Sequence, residues 1–213
     1  RGDRRSTVSS ILREYLYSYA MKHLNIKTSR SLAVVETDEA VERRRTEPGA
    51  ILVRVMNSHI RYGTFQYVAS QAPGELQRFA DYVIDRHYPQ LNATDRPYLE
   101  FFDAVMESSI EMVVDWLRVG FIHGVMNTDN MSISGEPFDY GPCAFINYYD
   151  EETVFSSIDK HGRYAFGNQR PILRWNLERF AEALQPLCAQ SPLTSAELEG
   201  TLDEFADRFD AQY

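Results

Sequence analysis

The sequence predicts an α+β fold in which one helix and a small antiparallel sheet precede a mainly helical region. Apolar residues recur at helical spacing over residues 7–24, and short runs rich in Val and Ile follow between residues 31 and 56. Helical spacing returns beyond Gly74. With 213 residues, of which 44% are hydrophobic, the chain can bury a sizeable core, and we expect one large domain or two small lobes.

The first helix is predicted from Thr7 to Leu24, with Ser6 or Thr7 as its N-cap. Glu14 lies off its apolar stripe and can therefore face a cleft. The alternative is an ordinary solvated carboxylate, because Glu is rarely buried without a partner. The stripe follows the period of an amphipathic helix and consists of Val8, Ile11, Leu12, Tyr15, Leu16, Tyr19 and Leu24.

A small antiparallel sheet is predicted to pack against this helix, with turns at Asp38 and Pro48-Gly49. Arg54 lies inside its last strand, where a charge costs free energy unless it reaches solvent or an anion. For Arg54 and for Arg61, which follows it, the alternatives are ion pairs with carboxylates of this acidic chain and bidentate contact with phosphate. The three predicted strands are residues 31–37, 39–45 and 50–56.

The helical region has four predicted helices. The one from Pro97 to Val119 is rich enough in apolar residues to be the buried spine of this region, and it leads directly into residues 121–141. Residues 150–167 are polar and are expected to form a loop. The other helices are Glu75–Tyr88, Pro171–Leu187 and Thr194–Phe209, the last with Thr194 or Ser195 as its cap.

Residues 121–141, FIHGVMNTDNMSISGEPFDYG, contain the side chains on which the functional interpretation depends. Asp129 and Asn130 lie in a polar turn, and Asp139 follows a second turn. Amide and carboxylate oxygens suit Mg²⁺, whose shell is completed by phosphates and water. Protein kinases use the spacing H-R-D-x-x-x-x-N, followed by D-F-G, to hold this metal.

The kinase spacing fits this chain except at the base. His123, Asn130 and Asp139 take the positions of the His, the Asn and the D-F-G Asp, but the base position is Val125, which cannot accept a proton. Asp129, the only carboxylate in the polar turn, is therefore the candidate general base, and its alternative is a brace of the turn. We expect His123 to brace the loop by hydrogen bonding.

The chain resembles the selenoprotein O family (SelO, also called YdiU) of kinase-like protein adenylyltransferases. The resemblance runs from Arg1 to about Leu187 and rests on HGVMNTDNMSI, DYGP, LREYL (12–16), SHIRYGTF (58–65), GRYAFGNQ (162–169) and WNLERFAEAL (175–184). It implies a partial protein-kinase-like fold. Residues 1–70 would be the remainder of the nucleotide-binding N-lobe, and residues 71–213 would be the helical C-lobe with the catalytic loop.

The resemblance also implies an activity, the transfer of AMP from ATP to Ser, Thr or Tyr hydroxyls of protein substrates with release of pyrophosphate. Asn130 and Asp139 would hold Mg²⁺ or Mn²⁺, Arg54 and Arg61 would bind the terminal phosphate of ATP, and Glu14 would pair with a lysine outside this chain. Two alternatives stay open: an atypical kinase that transfers the γ-phosphate, and a nucleotide-binding pseudokinase scaffold.

Composition narrows the range of partners. The net charge of −9 argues against a nucleic-acid surface, and no apolar run approaches the roughly 20 residues that cross a bilayer. Cys143 and Cys188 match no metal-site spacing and fit a reducing compartment, with a redox pair between them left open. We expect a piece of a longer protein, cytoplasmic if bacterial and mitochondrial if eukaryotic, that is poorly active without its lysine-bearing segment.

Overall fold

The computed structural model describes residues 5–43, 45–137, 139–188 and 192–213. It confirms the α+β class, because small antiparallel sheets accompany a larger number of helices. Within these residues, no helix is both long and apolar enough to cross a membrane. The helices are α1 (Val8–His23), α2 (Tyr62–Gln71), α3 (Leu76–His87), α4 (Pro97–Arg118), α5 (Gln169–Cys188), α6 (Pro192–Asp203) and α7 (Phe205–Gln212), and the strands are β1 (Ser6–Thr7), β2 (Arg30–Glu42), β3 (Thr46–Val55), β4 (Phe121–Ile122) and β5 (Ala144–Phe145).

Helix α1 forms where the sequence predicts it, and Thr7 is its N-cap. The Thr7 hydroxyl accepts a hydrogen bond from the backbone N–H of Ser10 at 3.3 Å, which satisfies one of the unpaired donors of the first turn. The buried face of the helix shares only Ile11 with the predicted apolar stripe. It consists of Ile11, Glu14, Ser18 and Met21, whereas much of the stripe, including Leu16 with 61% of its surface accessible, faces outward.

The sheet beneath α1 has the strand order β1-β3-β2 and is antiparallel throughout. The prediction of three strands at 31–37, 39–45 and 50–56 is wrong, because residues 30–42 form one long strand and the turn to β3 follows it. A register irregularity between Glu36 and Ala40 absorbs the expected turn at Asp38 without ending the strand.

Pro48 and Gly49 also lie inside a strand instead of forming a turn. Pro48 pairs with Ala40, and Gly49 pairs with Thr7 of β1. A Cβ atom on Gly49 would lie 2.7 Å from the Thr37 hydroxyl oxygen, so glycine is required here because two strands approach closely. The sequence signal at Gly49 was therefore real, but it reported close packing and not a turn.

The helical region is built around α4, as predicted, and its core includes a cluster of aromatic rings. Phe180 of α5 lies at the centre of this cluster, with its ring centroid 4.8 Å from that of Tyr62 and 5.2 Å from that of Phe65. Phe101 and Phe102 of α4 complete it, and all five rings are buried. Helices α2, α4 and α5 are thereby fixed relative to one another.

Two further helix predictions need correction. Helix α2 was not predicted, because its sequence, YGTFQYVASQ, is short and its apolar residues form no long stripe. The single helix predicted at Thr194–Phe209 is two helices, α6 and α7, which break at Glu204, and α6 begins at Pro192 instead of being capped by Thr194 or Ser195. The loop at 150–167 and the helices α3 and α5 are confirmed.

Candidate active site

The loop between β4 and β5, residues 123–143, is closed at its base by a two-residue antiparallel ladder. Phe121 pairs with Phe145 and Ile122 pairs with Ala144, so the two ends of the loop lie side by side. Gly124, with φ of +81°, passes close to the returning segment. A Cβ atom on Gly124 would lie only 1.8 Å from the Pro142 carbonyl oxygen, so this position accepts no other residue without a shift of the backbone.

Helix α5 holds this loop through two buried amide side chains. The Gln169 side chain accepts from the backbone N–H of His123 at 3.0 Å and donates to the Phe121 carbonyl at 2.8 Å. Two turns later on the same helix face, Asn176 donates to the Met126 carbonyl at 2.9 Å. Sequence reasoning assigned no role to either residue, although both lie in the words GRYAFGNQ and WNLERFAEAL.

His123 is buried inside the loop and not exposed at its surface. Its ring stacks on Trp116 of α4 with 5.3 Å between the ring centroids, and its Nδ1 accepts from the Val125 backbone N–H at 3.4 Å. These contacts brace the loop, as the sequence predicts for this histidine.

Asn130 and Asp129 differ in their surroundings although they are neighbours. Asn130 is buried, and its amide nitrogen donates to the Val125 carbonyl at 2.8 Å, which fixes the amide and leaves its oxygen to meet another partner. Asp129 is exposed, and a Cβ on Gly63 would lie 2.3 Å from its carboxylate oxygen. The carboxylate thus lies against the first turn of α2, and within the described residues no hydrogen bond uses it as a brace of the turn.

Arg61 immediately precedes α2 and pairs with this loop through the backbone. It forms an isolated antiparallel bridge with Ser132, and the next residue, Tyr62, donates to the Met131 carbonyl at 3.0 Å. Gly63 donates to the Thr128 carbonyl at 2.9 Å. Arg61, Asp129 and Asn130 therefore belong to one continuous backbone arrangement.

A second group joins α1, β3 and the D-Y-G segment. Glu14, with 8% of its surface accessible, forms an ion pair with Arg54 and accepts a hydrogen bond from the backbone N–H of Asp139 at 3.2 Å. The alternative of a solvated surface carboxylate for Glu14 is therefore excluded. The partner of Glu14 within this chain is Arg54, where the resemblance implies a lysine from outside it.

Charge links the two groups. Burial lowers the pKa of Arg54, the Asp139 carboxylate raises it, and Arg61 lowers it, so Arg54 lies within electrostatic reach of one residue from each group. The Asp139 side chain is exposed, and its backbone has φ of +69°, a conformation that L-residues seldom adopt. Arg54 is partly buried, with 22% of its side chain accessible, and arginine is a residue that proteins commonly use to bind phosphate.

A cavity of about 730 Å³ lies between α1 and the sheet, and Glu14, Arg54 and Asp139 are in its wall. This volume falls in the range of small-molecule binding sites, roughly 300–1,000 Å³. The other three predicted site residues, Arg61, Asp129 and Asn130, are not part of this wall. The structure thus brings the six residues together as two neighbouring groups of three.

Residues 1–213 match the sequence model of a family described as Protein adenylyltransferase SelO. The chain belongs to this family. Proteins named Protein nucleotidyltransferase YdiU are 50% identical to it over 215 residues in Rhizobium johnstonii, 54% over 211 residues in a Bradyrhizobium species and 53% over 215 residues in Methylorubrum extorquens. These matches cover 98–100% of this chain and 43% of each relative, so the chain spans less than half the length of the relatives it matches.

The chain also contains a buried carboxylate that sequence reasoning missed. Glu136 accepts hydrogen bonds from the Asn57 backbone at 2.6 Å, the Asn57 side chain at 2.8 Å and the Ser134 hydroxyl at 3.1 Å. Asn57 lies in the connection between β3 and α2, that is, between Arg54 and Arg61. Glu136 therefore ties this connection to the loop that contains Asn130 and Asp139.

The donor set of the site fits a nucleotide-bound metal better than a permanently bound one. Among the described residues there is no group of three or more His, Cys, Asp or Glu side chains that could enclose an ion. The two residues predicted as metal ligands supply one carboxylate, Asp139, and one amide oxygen, Asn130. Mg²⁺ with few protein ligands is typical of sites where phosphate oxygens and water complete the shell.

Proposed function

We propose that the protein containing this chain is a protein adenylyltransferase, which passes AMP from ATP to Ser, Thr or Tyr hydroxyls of proteins and releases pyrophosphate. The single observation that carries the proposal is the position of Arg54, a partly buried guanidinium paired with Glu14 in the cavity wall beside Asp139. A guanidinium in that place is suited to bind the terminal phosphates of ATP, which would leave the α-phosphate toward the acceptor.

Each residue of the two groups then has a role. Asn130 and Asp139 would hold Mg²⁺ or Mn²⁺, which would neutralise the phosphate charge when bound. Arg54 and Arg61 bind the terminal phosphates, and Glu14 orients Arg54 and the backbone of Asp139. In a reaction that depends mainly on positioning and charge, these preorganised side chains supply most of the catalysis.

Asp129 is the general base in this proposal. Its carboxylate is exposed beside the first turn of α2, where an acceptor hydroxyl from a protein substrate can reach it. The carboxylate takes the hydroxyl proton while the oxygen bonds to the α-phosphorus, and the bond to pyrophosphate breaks. Val125, which occupies the kinase base position, cannot perform this step.

The division into lobes is also a proposal. Residues 1–70 would be the remainder of a nucleotide-binding N-lobe and residues 71–213 the helical C-lobe, which is supported by the position of the sheet and α1 before residue 56 and of α3 to α7 after residue 75. The relatives named above are bacterial, which favours the cytoplasmic alternative over the mitochondrial one.

The test uses the full-length protein with Mg²⁺ or Mn²⁺ and ATP labelled separately at the α- and γ-phosphates, with Asp139→Ala as the control. We expect label on protein from the α-position alone, and none with the variant. Label from the γ-position alone would make the protein an atypical kinase and contradict the roles of Arg54 and Arg61. No label from either position would favour a nucleotide-binding scaffold.

A further inference from the structure

Arg13, the neighbour of Glu14 on α1, reaches the segment that follows Asp139. Its Nε donates to the Gly141 carbonyl at 3.1 Å, and one of its terminal nitrogens donates to the Cys143 carbonyl. A guanidinium can hold two acceptors at fixed positions because its donors form a rigid fork, which an ammonium group lacks. One side chain of α1 therefore holds two carbonyls, two residues apart, on the D-Y-G-P-C segment.

The guanidinium of Arg13 is itself held between two aromatic rings. It lies 5.2 Å from the ring centroid of Tyr17, one turn further along α1, and 5.2 Å from that of Phe155 in the loop after β5. Tyr17 stacks in turn on Tyr140 and on Phe145, with centroid distances of 6.2 and 5.8 Å. Arg13 thus occupies a defined place and does not extend freely into solvent.

We propose that Arg13 is a positioning residue for Asp139. Glu14 accepts the backbone N–H of Asp139, and Arg13 donates to the carbonyls of Gly141 and Cys143, so two consecutive residues of α1 hold the segment on both sides of Tyr140. The φ of +69° at Asp139 lies in the left-handed region, which costs an L-residue free energy, so contacts on both sides of Tyr140 help to keep this conformation.

Arg13 acts through the backbone of the segment and binds neither nucleotide nor metal. Its removal should therefore weaken the placement of the Asp139 carboxylate without removing any group from the site. The proposal rests on the proposed function in one respect, the role of Asp139 as a metal ligand. Its structural part, that Arg13 orders residues 139–143, stands independently and can be measured without nucleotide or metal.

The experiment compares Arg13→Met, Arg13→Lys and the control Lys22→Met in the full-length protein. Methionine keeps the apolar stem and removes the fork, lysine keeps the charge without the fork, and Lys22 is an exposed basic residue of the same helix. Hydrogen exchange is measured first, without ligands. We expect amides of the segment after Asp139 to exchange about tenfold faster in Arg13→Met, which is the effect of losing one to two hydrogen bonds.

Arg13→Lys should accelerate exchange of these amides by an intermediate factor, and Lys22→Met should leave it unchanged. The exchange rates of the β3 amides should be the same in every variant. The second readout is the Mn²⁺ concentration that gives half-maximal transfer of α-label at saturating ATP. We expect it to rise about tenfold in Arg13→Met, as one to two lost hydrogen bonds would give. Excess Mn²⁺ should restore most of the rate in this variant, whereas it should not rescue Asp139→Ala.

Unchanged exchange after Asp139 in both Arg13 variants would overturn the proposal, whatever happens to activity. Equal acceleration in α1, β2 and β3 would also overturn it, because it would mean general destabilisation. Local acceleration together with no transfer of label by the unmodified protein would refute the proposed function and leave the ordering role of Arg13 in place. The two failures are therefore distinguishable.

Discussion

The loop from β4 to β5 is held by buried polar contacts, whereas the unit formed by α1 and its sheet, the α1 unit, exposes apolar side chains. Two buried side chains of α5, Gln169 and Asn176, form hydrogen bonds with the backbone of the loop. Glu136, a buried residue of the loop itself, accepts a hydrogen bond from Asn57. The α1 unit instead leaves apolar side chains on its surface, including Leu32 at 72% exposure and Ile51 at 55%.

The two regions differ in how much of their apolar surface is covered within this chain. The contacts described for the loop come from residues of this chain, among them Gln169, Asn176 and Glu14. The outer face of β3 carries Ile51, Val53 and Val55 in alternation, all exposed, and an apolar strand face of this kind normally packs against something. In the longer protein, of which this chain spans less than half by comparison with its relatives, we expect this face to be covered.

The largest effect is expected at Asp129, where a substitution tests whether the loop, and not the α1 unit, contains the general base. Asp129→Asn keeps the size of the side chain but removes the carboxylate proposed as the base, so kcat for transfer of α-label should fall by about 10²–10⁴-fold. The KM for ATP should change little. Glu152→Gln, an exposed carboxylate outside the loop, is the matched control and should keep full activity. A near-normal kcat in Asp129→Asn would assign the base to another residue.

Gln169→Leu should be the most destabilising substitution in the support of the loop. It removes the Gln169 hydrogen bonds to the buried His123 N–H and Phe121 carbonyl, and each such loss costs about 1–3 kcal/mol. We expect the free energy of unfolding, measured by urea denaturation, to fall by about 2–4 kcal/mol on this basis. Asn168→Leu changes its exposed neighbour and should cost clearly less, so equal losses would contradict the assigned role.

Glu136→Gln tests whether the connection between β3 and α2 is held by the loop. The glutamine can replace one oxygen but presents its NH₂ group to donors on Asn57 or Ser134, so we expect a loss of about 1–3 kcal/mol of stability. The KM for ATP should also rise, because Arg54 and Arg61 flank this connection. In a double-mutant cycle with Asn57→Ala, independent effects of the two substitutions would rule out the contact as the cause.

The sequence predicted the elements of the fold better than it predicted their surroundings. The periodicity of α1 located the helix, but could not tell that Glu14 would be buried and Leu16 exposed, because the covering surface is not encoded in one helix. All six predicted site residues came from the spacing of short motifs and from the family resemblance. Glu136 and Gln169 were missed because a lone buried Glu or Gln leaves no periodic signal, and only tertiary contacts reveal it.

The two cysteines should make stability depend on alkaline pH. Burial raises the pKa of Cys143 to about 12, although Arg13 lowers it, and burial raises the pKa of Cys188 to about 11. Both pKa values in the folded chain exceed that of a thiol in the unfolded chain. The contribution of the neutral thiols to the free energy of unfolding is therefore complete below about pH 9 and is lost as pH rises toward 11–12.

Urea denaturation between pH 8 and 11 measures this loss of stability, in which each pH unit costs at most about 1.4 kcal/mol per thiol. Buried tyrosines act in the same direction, so the double variant Cys143→Ala/Cys188→Ala should flatten the decline without abolishing it.

The smallest effect is expected at Leu16, and it sharpens the contrast between the two regions. Leu16→Gln keeps helix propensity and removes an apolar side chain that is 61% exposed, so in the 213-residue chain the free energy of unfolding should change by no more than about 0.5 kcal/mol. In the full-length protein the same substitution should cost about 1–3 kcal/mol if the outer face of α1 is covered there. Lys22→Gln on the same helix should be neutral in both proteins. An equally small effect of Leu16→Gln in both proteins would mean that the apolar face of α1 stays exposed to water in the full-length protein as well.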